Sequence, residues 1–83
     1  MYPRKYVIVI VNDLELAILF DAVLEHRDFC NCNRHPAGAG FYDVISTNGE
    51  LDVVCYGESV SLKCKSRGEV DAHIIKRHFE RRR

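Results

Sequence analysis

The longest apolar run in the chain is YVIVIV at residues 6–11, between Pro3 and the polar pair Asn12-Asp13. β-Branched side chains dominate this run, and no polar residue interrupts it. A continuous β-branched run is typical of a strand covered on both faces, because both sets of its side chains need an apolar environment. The pattern therefore predicts a strand inside a sheet.

The next segment, NDLELAILFDAVLEHRD, has apolar residues at intervals of three and four. Asn12 and Glu15 have the spacing of a capping box, in which two side chains satisfy free amides at a helix N-terminus. This pattern predicts a first helix over residues 13–27. The apolar positions on which the prediction rests are Leu16, Leu19, Phe20, Val23 and Leu24.

Residues 41–56 form two runs rich in β-branched and aromatic residues on either side of the pair Asn48-Gly49. This pair suits a two-residue type I′ hairpin turn, since both residues tolerate positive φ. The turn sets the register of the hairpin and pairs Tyr42 with Cys55. A one-residue slip would move the apolar side chains to the other face of the sheet.

A second turn signal, Gly57-Glu58, predicts a third strand and completes an antiparallel three-strand meander. This register pairs Asp52 with Lys63 and Glu50 with Lys65, and opposite charges on neighbouring strands stabilise a sheet. The residues expected on the inward face of the meander are Tyr42, Val44, Leu51, Val53, Cys55, Val60, Leu62 and Cys64.

The final segment, SRGEVDAHIIKRHFERRR, predicts a second helix over residues 67–80. Ser66 and Glu69 form a capping box, and apolar residues follow at helical spacing. The elements together predict a single α+β domain over residues 1–83, with the order β-α-β-β-β-α. Its two layers are a four-stranded sheet, which includes the meander, and two helices on one face of that sheet.

Composition bears on the class of protein. The chain of 83 residues is 47% hydrophobic and 29% charged with zero formal net charge, which argues against disorder and against a generally basic nucleic-acid binder. A domain this small buries a modest core, so a second copy, a metal ion and a partner are three open sources of additional stability. YVIVIV is far shorter than the roughly 20 residues of a membrane span, and no cleavage pattern follows it, so we predict a cytoplasmic protein.

The stretch FCNCNRHPAGAGF at residues 29–41 raises the possibility of a metal or anion site. A zinc ion takes four ligands, but the single residue between the two cysteines is shorter than the usual spacing of two to four. The run HPAGAG offers flexible backbone amides for an anion but lacks the six-residue glycine fingerprint. We therefore predict a connecting loop and no cofactor, with zinc as the alternative. The candidate zinc ligands are His26, Cys30, Cys32 and His35.

No catalytic signature in the chain is complete. Cysteine and histidine lie near each other in sequence around residues 26–35, but no third group that would orient the histidine can be named. The sequence therefore predicts a protein without enzymatic activity.

The outer face of the predicted meander carries an apolar cluster with charged residues around it. Exposed apolar patches with a polar rim are typical of protein-contact sites. We therefore predict a small accessory or regulatory module that binds another protein, or a second copy as a homodimer. The predicted contact residues are Phe41, Ile45, Val54 and Tyr56, and the predicted rim is Asp43, Asp52 and Lys63.

Charge is polarised along the chain and suggests a second hypothesis. Residues 1–62 carry four Lys/Arg and nine Asp/Glu, whereas residues 63–83 carry eight and three. A basic final helix can contact phosphates, although the same cations also complement the helix macrodipole. Nucleic-acid binding is therefore the alternative function, and a zinc-stabilised interaction module is a third. The candidate nucleic-acid residues are Lys63, Lys65, Arg67, Lys76, Arg77, Arg81, Arg82 and Arg83.

Overall fold

The computed structural model describes residues 4–21, 24–26 and 35–81. Its main sheet has four antiparallel strands in the order β2-β1-β3-β4, namely β1 (Arg4–Val11), β2 (Leu14–Phe20), β3 (His35–Thr47) and β4 (Glu50–Tyr56). A two-stranded ribbon and one helix follow, namely β5 (Glu58–Ser59), β6 (Cys64–Lys65) and α1 (Glu69–Arg81). The protein is a small α+β domain.

The predicted interior strand is confirmed. β1 pairs with β2 on one side and with β3 on the other. Tyr6 and Ile8 contribute to the core under α1, whereas Val7 and Val9 contribute to a second cluster on the opposite face. Both faces of β1 are therefore covered, which is why its sequence does not alternate.

The predicted first helix over residues 13–27 is wrong, because residues 14–20 form β2. Asn12 and Asp13 have φ angles of 51° and 65°, so they make a two-residue hairpin turn between β1 and β2. LELAILF carries apolar residues on both faces of the strand, with Glu15 as its one charged residue, so it matches helical and strand spacing equally well. The residues that share one face of β2 are Leu14, Leu16, Ile18 and Phe20.

The first hairpin of the predicted meander is confirmed. Asn48 and Gly49 have φ angles of 53° and 83°, as the predicted turn requires. The ladder between β3 and β4 pairs Tyr42 with Cys55 and runs to the turn without a slip.

The predicted third strand of the meander is wrong. Gly57 has a φ of 77°, and the chain turns away from β4 there to form the β5–β6 ribbon. Lys65 consequently pairs with Glu58 rather than with Glu50, and Lys63 lies in the turn of the ribbon rather than opposite Asp52. β4 is therefore an edge strand of the main sheet.

The predicted second helix is confirmed with slightly different ends, since α1 covers Glu69–Arg81. It is the only α-helix in the part of the chain that the structure describes, so the predicted pair of helices is not observed. Ile75 of α1 is buried in the core with Tyr6, Ile8, Tyr42, Val53 and Cys55. On the opposite face, Leu62 and Cys64 of the ribbon segment pack against Val7, Val9, Phe20 and Ala39.

Candidate protein-contact surface

The four predicted contact residues come together in the structure. Phe41 and Ile45 of β3 lie on the same face as Val54 and Tyr56 of β4, opposite the face that packs against α1. The rings of Phe41 and Tyr56 stack with centroids 5.9 Å apart. Ile45, Val54 and Tyr56 are 47%, 43% and 41% exposed, and Phe41 is half-buried. We call these four residues the outer patch.

The rim of the outer patch is acidic. Asp43 lies opposite Val54, Asp52 lies opposite Ile45, and both carboxylates are exposed. Partial desolvation and the neighbouring Asp43 carboxylate raise the pKa of Tyr56. Because Lys63 lies in the turn of the ribbon, the predicted rim loses its only cation.

A buried histidine, His26, packs beside the outer patch, on the same face of the sheet as Phe20 and Phe41. Its Nε2 donates a hydrogen bond to the carbonyl oxygen of Gly40 at 2.9 Å. Its ring makes edge contacts with Phe20 and Phe41, at centroid distances of 5.2 and 6.1 Å. His26 therefore packs against the Phe41 ring on the side away from Tyr56. The sequence hypothesis considered His26 only as a metal ligand and missed this role.

Of the four candidate zinc ligands, the structure describes only His26 and His35. Nε2 of His26 is engaged by Gly40, and His35 lies exposed at the start of β3. Cys30 and Cys32 lie outside the described residues. Within residues 4–21, 24–26 and 35–81, no three potential ligands converge on one point.

The glycines of HPAGAG allow close packing. Residues 35–40 belong to β3, so the predicted connecting loop is wrong for this part of the segment. A β-carbon on Gly38 would overlap the carboxylate of Asp71, and one on Gly40 would overlap the backbone oxygen of Tyr56. Close neighbours of the strand therefore explain the alternating glycines. The segment pairs with β1, so its backbone amides do not form the open loop that the anion-binding hypothesis requires.

The candidate nucleic-acid residues occupy different environments. Arg67 forms ion pairs with Glu15 at 2.8 Å and with Asp71 at 2.7 Å, so its guanidinium serves the fold. Lys76 lines a cleft with Glu50 and Asp52. The exposed cations are Lys63 and Lys65 of the ribbon and Arg77 of α1, and the side chain of Arg81 together with Arg82 and Arg83 lies outside the description. These placements weaken the hypothesis of a continuous phosphate-binding surface.

A buried polar network joins α1 to the sheet, and the sequence hypothesis missed it. Asp71 has no exposed surface, and its carboxylate accepts hydrogen bonds from Tyr6 Oη at 2.5 Å, Arg67 Nε at 2.7 Å and Arg67 N at 2.9 Å. The Tyr6 hydroxyl also lies 2.6 Å from Ser66 Oγ. Burial and the Asp71 carboxylate raise the pKa of Tyr6. The only local signal was an aspartate four residues before Ile75, on the face of α1 that packs on the sheet.

The described thiols are poor nucleophiles. Desolvation by burial, with a contribution from Asp71, raises the pKa of Cys55 to about 11, so its thiol is protonated at neutral pH. Burial also raises the pKa of Cys64. Cys55 and Cys64 are both free. Their surroundings favour a packing role over nucleophilic chemistry.

The raised pKa of Cys55 predicts a loss of stability at alkaline pH. The thiol ionises from its ordinary value of 9.0 in the unfolded chain but at about 11 in the folded one, so the unfolded state loses this proton first. Stability should hold below pH 9 and fall by about 2 kcal/mol as the pH rises to 11. Urea unfolding with a reductant present, followed by circular dichroism at each pH, measures this change.

The control is Cys55→Ala, which removes the titrating thiol. Tyr6 and Tyr42 also have raised pKa values, so they add their own loss of stability above pH 10 in both proteins. The difference between wild type and Cys55→Ala should therefore appear between pH 9 and 10. Parallel stability curves over that interval would contradict the prediction.

No family model, curated protein or solved structure matches this chain. Within the described residues, no helix is long and apolar enough to cross a membrane.

Proposed function

We propose that the protein is a cytoplasmic, non-enzymatic module that binds another protein, or a second copy, through the outer patch. The observation that carries this proposal is the exposure of Ile45, Val54 and Tyr56 side by side on one sheet face. Contiguous apolar surface with a polar rim gains free energy when a partner removes it from water.

The two aromatic rings of the outer patch already pack against neighbouring rings in the protein alone. Phe41 stacks on Tyr56, and the buried His26 contacts Phe41 from the other side. Binding therefore causes little further loss of rotamer entropy in these two aromatic side chains. Rigid aromatic residues near the centre of a patch are also the residues that most often dominate binding energy.

Charge reversal of an apolar contact tests the proposal. In Ile45→Asp and Tyr56→Asp, a carboxylate replaces an exposed side chain, so the fold should survive while affinity for the partner falls about 30-fold or more. Tagged wild-type protein and the two variants are used to capture partners from lysate, and bound proteins are quantified by mass spectrometry. Proteins enriched by wild type should be lost from both variants.

The matched control is Val60→Asp, since Val60 is 83% exposed in the turn of the ribbon, outside the outer patch. It should retain the partners that the outer-patch variants lose. Circular dichroism confirms that all three variants are folded. The proposal is wrong if Ile45→Asp and Tyr56→Asp retain the same partners as Val60→Asp.

A further inference from the structure

The outer edge of β4 has unpaired backbone groups in the part of the chain that the structure describes. β4 is the last strand of the sheet order. Thr47 and Glu50 flank a two-residue turn and form a hydrogen-bonded pair, so alternate residues from Glu50 onward direct their amides and carbonyls toward β3. The intervening residues, Leu51, Val53 and Cys55, direct theirs toward the open edge.

Space for side chains lies beside this edge, between β4 and α1. Two adjacent clefts of about 290 Å³ and 510 Å³ share Val53 and Lys76 in their linings. Ala72 and Phe79 supply further apolar surface from α1. A strand added to β4 would direct every second side chain into these clefts.

The charges around the edge select the chemistry of the added strand. Four acidic residues, Glu50, Asp52, Glu69 and Glu80, border the clefts against one lysine, Lys76, and strand alternation directs the side chains of Glu50 and Asp52 to the outer face. On the outer face, Asp43 and Asp52 form the rim of the outer patch. A basic segment is complementary to this surface, and an acidic one is repelled by it.

We infer that the partner contributes an extended basic segment that pairs with β4 as an antiparallel fifth strand. Small apolar side chains of the segment enter the clefts beside α1, and the alternate basic side chains face Asp43 and Asp52 on the outer face. Strand addition of this kind draws affinity from main-chain hydrogen bonds and specificity from alternate side chains. The inference rests on the proposed function, because the basic side chains lie against the outer patch.

Asp52 makes the edge selective. Its Oδ1 accepts a hydrogen bond from the backbone N–H of Val53 at 3.0 Å, so one outward amide is already satisfied. Charged groups on an edge strand protect it from indiscriminate pairing. A basic side chain of the incoming strand attracts the Asp52 carboxylate, and the freed N–H of Val53 then donates to a carbonyl of that strand. A neutral strand lacks this attraction.

Backbone methylation of a synthetic peptide tests the geometry. The probe is a capped seven-residue peptide of alternating lysine and valine, with binding followed by isothermal titration calorimetry at low salt. With valine in the clefts, the valine amides point toward β4 and the lysine amides point away. N-methylation of the valines should weaken binding at least tenfold, because backbone hydrogen bonds are lost, whereas N-methylation of the lysines should change it little. A glutamate–valine peptide should not bind.

Two protein variants test the role of charge. Asp52→Asn keeps an oxygen that can accept from Val53 N–H but removes the negative charge, so it should weaken peptide binding severalfold. Asp13→Asn removes the same charge from the β1–β2 turn and serves as the matched control. Equal affinities of the two variants would overturn the inference.

Failure of the inference is distinguishable from failure of the proposed function. If the valine-methylated and lysine-methylated peptides bind equally well, the segment is held by charge alone and strand addition is wrong, whatever the capture experiment shows. If the protein without peptide forms a dimer in which the amides of Val53 and Cys55 are protected from hydrogen exchange, the occupant of the edge is a second copy and the inference is overturned. Loss of captured partners in Ile45→Asp still supports the outer patch in either case.

Discussion

Replacement of Asp71 with alanine is expected to lower the free energy of unfolding by about 3 kcal/mol. The buried carboxylate accepts from the Tyr6 hydroxyl and from two nitrogens of Arg67. Without it, the hydroxyl of Tyr6 keeps only Ser66 Oγ as a partner, and Arg67 keeps only the exposed ion pair with Glu15. Urea unfolding followed by circular dichroism measures the loss.

Milder variants of the same network should follow a fixed order. Tyr6→Phe removes one hydroxyl and should cost about 1 kcal/mol. Glu69→Ala removes an exposed acid from the same turn of α1 and should cost about 0.5 kcal/mol through the helix dipole. The explanation for Asp71 is wrong if Asp71→Ala is no more destabilising than Glu69→Ala.

The second large effect is a rescue between two positions. Gly38→Ala should destabilise the wild-type protein by about 2–3 kcal/mol, because the new β-carbon would lie 2.7 Å from Cγ of Asp71. In the Asp71→Ala background this obstacle is absent, so the same substitution should cost less than about 1 kcal/mol. A double-mutant cycle built from the four unfolding free energies measures the coupling.

Gly40→Ala is the control for this cycle. Its β-carbon would overlap the backbone oxygen of Tyr56, which belongs to the β3–β4 ladder and does not involve Asp71. Its cost should therefore be the same in both backgrounds. If the cost of Gly38→Ala, like that of Gly40→Ala, is the same with and without Asp71→Ala, the proposed contact between Gly38 and Asp71 is wrong.

Elements with their own local signal could be predicted from the sequence. β1 follows from an unbroken β-branched run, the β3–β4 register from Asn48-Gly49, and α1 from its apolar spacing. β2 could not be assigned from periodicity, since LELAILF satisfies both spacings. The deciding signal was the residue pair Asn12-Asp13, because both side chains tolerate the positive φ of a two-residue turn. The capping-box interpretation assigned Asn12 to a helix start instead.

The outer patch was predictable because alternation and a fixed hairpin register assign each side chain to a face. Its rim was predicted incorrectly at Lys63, since the path of the chain after Gly57 depends on how the ribbon packs. The Asp71 network was beyond local patterns. It unites Tyr6, Gly38 and the residues at 66–71, which are distant in sequence, so only the assembled sheet and helix bring them together.

The hydrogen bond between Tyr6 and Asp71 joins residues 65 positions apart. β1 and β2 precede α1 in the chain, so during synthesis they can pair as a hairpin before the Asp71 acceptor of the Tyr6 hydroxyl has been made. In this hairpin the other edge of the apolar strand β1 has no partner until β3 has been synthesised. The core under α1 therefore closes only after α1, which follows every strand in the chain order of the described elements, has been synthesised.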